Sequence, residues 1–188
     1  VLGTSGQPIY FTSIRDDTIG GDTNGDGGAS TPHYANWRGL EFRDGSDDAN
    51  SILDYAVIRY AGYQNRGGVN LFSASPTINN TTISDGFLAI RANLSSLPNL
   101  NNNIFIDNYL NALGYDGGTI NANTTWDVTD TCYYVIDDIF VGPGVTLSIQ
   151  PGVVVKFDLY RKLVVDGTLR VLGTSGQPIY FTSIRDDT

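Results

Sequence analysis

The sequence predicts an all-β solenoid, in which short strands wind into stacked coils with a turn at each corner. Three observations predict it. The 18 residues Val1 to Thr18 return unchanged as Val171 to Thr188, an offset of 170 residues that marks a tandem array. Inside that period runs a weaker repeat of 22 to 25 residues: Leu53, Ile78 and Leu100 align, and so do Ile58, Ile83 and Phe105. The chain also holds 22 glycines among 188 residues, with many Asn and Asp, and no stretch carries a helical apolar stripe with caps. A unit of this length is too long for a hairpin pair and too short for a βαβ crossover, but it suits one coil. A single coil cannot bury its own apolar side chains. Stacking equivalent positions of neighbouring coils makes a continuous interior.

In chain order, Pro8 to Ser13 (PIYFTS) alternates Ile9 and Phe11 with Tyr10 and Thr12, as a short strand does. The segment 16–32 is polar and glycine-rich and reads as a side loop. Trp37 to Phe42 (WRGLEF) is the next strand. Leu53 to Gly62, Ile78 to Gly86 and Leu100 to Asn108 are the aligned repeats, each followed by a second strand at Gly68 to Phe72, Phe87 to Ala92 and Tyr109 to Leu113. Pro76 and Pro98 stand just before two of the strands, where the missing N–H does no harm. Asn79, Asn80, Asn101, Asn102 and Asn103 mark coil corners, where Asn tolerates left-handed backbone and could ladder along the axis. Residues 1–123 are therefore read as the coils of one period, and 124–144, with Trp126, Cys132, Tyr133 and Tyr134, as a cap or junction. Residues 145–188 are read as the opening coils of the next period: Val145, Leu147 and Ile149 alternate, then Val153, Val155 and Phe157 after the Pro151-Gly152 turn.

Twenty acidic residues against eleven basic ones give a net charge of -9, which disfavours nucleic acid and anionic membrane surfaces as partners. No apolar run is long enough to insert in a bilayer, and the lone Cys132 forms no internal disulfide.

Read as a circle, VTLSIQPGVVVKF, LVVDGTLRVLGTSGQPIYFTS, the acidic GGDTNGDGG and WRGLEF resemble the repeats of bacterial right-handed parallel β-helix domains of the pectate-lyase-like superfamily; PTINNTTISDG is similar to its generic coil. The resemblance covers nearly the whole chain. It implies a right-handed parallel β-helix in a large secreted or surface-attached protein, and hence an extracellular or cell-surface location. Such folds carry polysaccharide lyases and hydrolases, adhesins and noncatalytic stalks, so the fold does not select an activity.

The strongest chemical motif lies in the side loop. Asp22, Asn24 and Asp26 alternate and Gly27 follows, a pattern that resembles the core of calcium loops. Calcium takes six to eight oxygens at about 2.3–2.6 Å, and Asp16 and Asp17 are placed to add carboxylates. His33 occupies the twelfth position, where an EF-hand carries Glu, and it is the only histidine, so a multi-histidine metal centre is excluded. The competing reading is a solvated loop whose Asp and Asn side chains hold local turns. In the second copy only Asp186 and Asp187 of this motif are present.

Tyr60, Tyr63, Tyr109 and Tyr115 are candidates for a glycan-contacting face. Enzyme chemistry would draw on Arg59, Arg66 or Arg91, or on an Asp85–Asp107 pair one strand spacing apart. An acidic solenoid produces such rows without catalysis, so no residue is assigned a catalytic role and the reading leans away from an enzyme. The expected function is a structural or adhesive repeat module, calcium-stabilised; a polysaccharide-binding or polysaccharide-degrading domain is the alternative. The expected partners are neighbouring repeats, a polysaccharide, and other copies through head-to-tail association, since open coil ends leave strand edges unpaired.

Overall fold

The computed structural model describes residues 1–186, so Asp187 and Thr188 lie outside it. The chain winds through seven coils. Residues 1–2, β1 (Ile9–Phe11) and β2 (Leu40–Arg43) form the first. The next three are β3 (Ile52–Asp54), β4 (Ala56–Arg59) and β5 (Gly67–Phe72); β6 (Thr77–Asn79), β7 (Thr82–Ser84) and β8 (Leu88–Ala92); then β9 (Asn99–Asn101), β10 (Ile104–Ile106) and β11 (Leu110–Tyr115). The last three are β12 (Gly118–Ile120), β13 (Thr124–Trp126) and β14 (Cys132–Val135); β15 (Ile139–Val141), β16 (Thr146–Ile149) and β17 (Val154–Phe157); then β18 (Leu163–Val165), β19 (Thr168–Val171) and β20 (Tyr180–Ser183).

Every strand pairing is parallel and joins one coil to the next. The architecture is the parallel β-solenoid that the repeat predicts. The register is the predicted one as well: Leu53 pairs with Ile78 and Ile78 with Leu100, while Ile58 pairs with Ile83 and Ile83 with Phe105. These side chains make axial columns. Leu53, Ile58, Ile78 and Ile83 are at most 2 % exposed, and burying each stabilises the fold by about 1.5–3 kcal/mol.

The corners repeat too. Tyr55, Asn80 and Asn102 occupy one corner column with φ of 50°, 46° and 57°, and Tyr60, Asp85 and Asp107 another with 59°, 54° and 56°. Asn80 donates to Asp54 Oδ1 at 2.9 Å and Asn102 to Asn80 Oδ1 at 2.7 Å, the expected ladder. Asn103 and Asn108 satisfy backbone groups of the preceding coil, donating to the carbonyls of Ile78 and Ile83, each at 2.7 Å.

Two details depart from the sequence reading. The strand expected from Trp37 begins only at Leu40, because Gly39 turns with φ of 92°. A Cβ there would collide with the carbonyl oxygen of Gly67 and lie 2.6 Å from that of Gly68. Trp37 is left with a single bridge to Ala61 and an indole N–H donated to the Arg59 carbonyl at 2.7 Å. Second, the outer face of the long sheet has its own apolar cluster, built on Leu88, Ala112 and Tyr134 with Phe87, Leu110, Cys132 and Ile136 against it. Burial raises the Cys132 thiol pKa, which favours the protonated form.

One sheet, β2-β5-β8-β11-β14-β17-β20, runs the length of the molecule. The other two faces are each interrupted between the fourth and fifth coils: β3-β6-β9 gives way to β12-β15-β18, and β1-β4-β7-β10 to β13-β16-β19. At the interruption, Tyr115, Trp126 and Tyr133 stack inside the solenoid with ring centroids 4.7–5.9 Å apart. A cleft of about 490 Å³ opens beside them, lined by Leu97, Asn99, Thr125, Asp127 and the edges of Tyr115 and Tyr133. The segment 124–144 supplies β13, β14 and β15 and lies on the C-terminal side of this interruption.

The identical segments take the same local shape on different faces. Thr4 and Gln7 exchange backbone hydrogen bonds, as do Thr174 and Gln177. Thr12 donates to Asp16 at 2.6 Å and Thr182 to Asp186 at 2.5 Å. Yet β1 pairs with β4, whereas its counterpart β20 extends the long sheet on β17.

Candidate functional site

The side loop leaves β1 and rejoins the solenoid before β2. Its base is fixed by Asp16, which is 2 % exposed. Asp16 accepts hydrogen bonds from Thr12 Oγ1 at 2.6 Å and Thr18 Oγ1 at 2.5 Å, and pairs with Arg59 at 3.3 Å. Burial opposes its ionisation, but the two hydroxyls and the guanidinium outweigh it and hold the pKa below the ordinary value. Arg59 also reaches Asp85 at 3.4 Å, which ties the loop base to the second and third coils.

Beyond this anchor, the chain folds back on itself through Gly20, Gly21, Gly25, Gly27 and Gly28, all at positive φ. A β-carbon has open space at most of these positions, so glycine serves the backbone angle rather than the packing. The fold-back brings one carboxylate oxygen each of Asp17, Asp22 and Asp26 within 4.8 Å of one another. Asp22 accepts the N–H groups of Asp26 and Gly27 at 3.0 and 2.8 Å. Asp26 accepts those of Gly28, Ala29 and Ser30 at 2.9–3.0 Å, and the Ser30 hydroxyl. These bonds, led by the Ser30 hydroxyl, lower the Asp26 pKa. Asp17 is different. Its Oδ1 is buried without a hydrogen-bond partner among the described residues. Desolvation, then the charges of Asp22, Asp26 and Asp16, raise its pKa. Three converging carboxylates, one with an oxygen lacking a donor among the described residues, fit a hard cation.

Of the five residues picked out in the sequence, Asp17, Asp22 and Asp26 come together. Asp16 turns away into the loop anchor. Asn24 stands beside the cluster with its amide N–H groups on Asp26 and Ser30, each at 2.9 Å. Its carbonyl oxygen would face a cation only after the amide turns over. His33 packs against Tyr34 with ring centroids 4.1 Å apart, and it is not among the clustered carboxylates.

The four tyrosines do not share one face. Tyr109 is 73 % exposed and stacks on Phe87 at 5.4 Å, and Tyr63 is 49 % exposed. Tyr60 is half-buried, accepts a hydrogen bond from Arg59 at 2.6 Å and lies under its guanidinium. Tyr115 is corrected to an interior residue: it is 1 % exposed and donates its hydroxyl to the Ser96 carbonyl at 2.6 Å. Alternation in β11 turns it inward, and no residue type there signals the one-residue register shift between Leu110 and Leu113 that sets that alternation.

The arginines considered for proton abstraction are each paired with a carboxylate: Arg59 with Asp85, Arg66 with Glu41 at 3.1 Å and Arg91 with Asp116 at 2.8 Å. Arg59 and Arg91 each bridge successive coils through these pairs.

Among the described residues, no helix is long and apolar enough to cross a membrane. No family model and no solved structure matches the chain. A stretch of 82 residues, 44 % of the chain, is 33 % identical to Protein bark beetle of Drosophila melanogaster, of which it spans 3 %. The chain thus resembles a small part of a far larger protein, and that likeness carries none of the whole protein's activity.

Proposed function

We propose that the chain is a structural repeat module of an extracellular surface protein, in which calcium fixes the side loop 16–32 against the solenoid. The observation that carries this reading is the meeting of Asp17, Asp22 and Asp26 around a buried, undonated carboxylate oxygen. A loop of this length is costly to leave unorganised, and a divalent ion removes the repulsion that the fold-back creates. The continuous interior supports the module reading, since a stacked column gives a stiff rod and needs no chemistry. The resemblance to secreted β-helix repeats supports the location, and a display or adhesive role follows from a rod carrying side loops.

The test is thermal unfolding after chelation, then with calcium or magnesium restored. Calcium raises the melting temperature and magnesium does so less, because magnesium holds its water and demands six regular ligands. Identical melting with and without calcium removes the cation from the proposal. A second reading, a glycan-contacting surface, rests on the exposed Tyr109 ring stacked on the half-buried Phe87. It is tested by titrating acidic and neutral oligosaccharides against the protein and its Tyr109→Ala variant.

A further inference from the structure

Two strand edges in the middle of the chain have no neighbour. Among the described residues, no strand pairs with the outer edge of β9 or of β13, and both strands line the cleft of about 490 Å³ at the interruption. That volume is in the range of ligand sites. Alternate residues of a parallel strand bond to opposite sides. Asn99 donates its N–H to the Pro76 carbonyl at 3.1 Å and the Asn101 carbonyl accepts the Asn80 N–H at 3.1 Å, so Leu100 between them turns its own N–H and carbonyl to the open edge. On β13 the Trp126 carbonyl accepts the Gln150 N–H at 2.9 Å, so Thr125 turns its pair away from β16. The column Leu53–Ile78–Leu100 stops here as well. Leu53 and Ile78 are at most 2 % exposed, whereas Leu100 is only half-buried and lines the cleft.

Buried side chains hold the cleft open. The Tyr115 hydroxyl donates to the Ser96 carbonyl, ahead of β9, at 2.6 Å. Tyr133, which is 2 % exposed, accepts the N–H groups of Asp127 and Val128, behind β13, at 3.0 and 3.1 Å. The two rings lie within 8° of parallel at 5.9 Å, wider than the strand spacing of about 4.8 Å. They turn their faces to each other and to Trp126, so the cleft meets ring edges, which do not offer a sugar ring a stacking face. Having accepted two N–H groups, the Tyr133 hydroxyl keeps a proton for which no acceptor stands among the described residues. The Asp127 carboxylate also lines the cleft, is exposed and makes no ion pair among the described residues.

We infer that this cleft takes an extended peptide segment of a partner protein, which adds to β9 as a parallel strand and restores the interrupted sheet. The segment reads polar, aliphatic, polar, as do Thr77-Ile78-Asn79 of β6 and Asn99-Leu100-Asn101 of β9. Its aliphatic side chain lies on Leu100 as the next member of the column. The carbonyl of the residue before it accepts the Leu100 N–H, and the N–H of the residue after it donates to the Leu100 carbonyl. A lysine or arginine on a flank meets Asp127, in a molecule of net charge -9. Asn123 and Thr125 of the fifth coil wall the far side.

The test titrates a capped peptide, Lys-Thr-Ile-Asn-Lys, into the isotope-labelled protein and follows its amide resonances. Binding is expected at millimolar peptide, with shifts centred on the cleft and slower hydrogen exchange at the Leu100 amide. A peptide with Asp in place of Ile, or one N-methylated at the Asn amide, is expected not to bind. The methyl group removes the bond to the Leu100 carbonyl and leaves the side chains intact, so it separates strand addition from side-chain contact alone. Asp127→Asn, at an exposed position, is expected to keep the wild-type melting temperature and to weaken the lysine peptide by up to about fivefold, the worth of an exposed ion pair. Equal binding of the N-methylated peptide would overturn the proposal. So would an oligosaccharide that shifts the cleft resonances where the peptide does not, or an absence of peptide binding. Calcium-dependent melting in a protein that binds no peptide would leave the calcium-stabilised module standing.

Discussion

Asn102 donates its side-chain amide to Oδ1 of Asn80 at 2.7 Å, one coil away, and both residues hold left-handed backbone. Asn80 in turn donates to Asp54. The ladder ties three coils together at a corner where a branched side chain would be strained.

Replacing Asn80 with alanine removes two hydrogen bonds and puts a residue without a local polar group at positive φ. The expected loss is about 3–4 kcal/mol, from roughly 1 kcal/mol for each of the two bonds and 1–2 kcal/mol for the backbone. Asn80→Gly should recover the backbone share. Urea unfolding of the two variants measures the difference.

Ile83 sits in the middle of an axial column and is 1 % exposed. Ile83→Ala is expected to cost about 2–5 kcal/mol, and Ile83→Asp to unfold the middle coils. A wild-type melting temperature for the aspartate variant would contradict the observed register.

Gly39→Ala tests close approach. The new methyl would collide with the Gly67 carbonyl and lie 2.6 Å from the Gly68 carbonyl, both rigid backbone, at a φ of 92°. The expected loss exceeds about 2 kcal/mol, combining overpacking with left-handed strain, and chemical denaturation reads it. Gly25→Ala, with open space around it and the same sign of φ, should lose only the smaller backbone share.

The side loop makes the metal-free protein sensitive to acid in two opposite ways. Asp16 and Asp26 have pKa values below the ordinary 3.8, so their contribution is present above 3.8 and is lost as pH falls through the lowered values. Asp17 has a raised pKa, so the folded state holds a proton that the unfolded state releases as pH climbs above 3.8, and stability declines there. Calcium should abolish that decline by neutralising the cluster, and Asp17→Asn should abolish it without metal. Melting temperatures from roughly one unit below to about two units above the ordinary carboxylate value, with and without calcium, check both signs.

Much of the solenoid was legible in the chain itself. The recurrence of Leu53, Ile78 and Leu100 at steps of 25 and 22 residues determined which side chains stack, because a coil that hides its apolar residues only against its neighbours must repeat their positions. Asn80 and Asn102 announced their corner, since few other side chains tolerate that backbone. Asp17, Asp22 and Asp26 were visible as oxygen donors on one glycine-rich loop, where local geometry governs the outcome. What distant packing controls was not legible. Asp16 and Asp17 are adjacent and chemically alike, but Arg59 of the next coil captures one and leaves the other in the cluster. Tyr109 and Tyr115 look equivalent in sequence, but a one-residue shift in β11 sends Tyr115 inward. The two identical segments state the same limit most plainly: their sequence determined their shared turns and hydrogen bonds, while only stacking on different neighbours decided which face each would build.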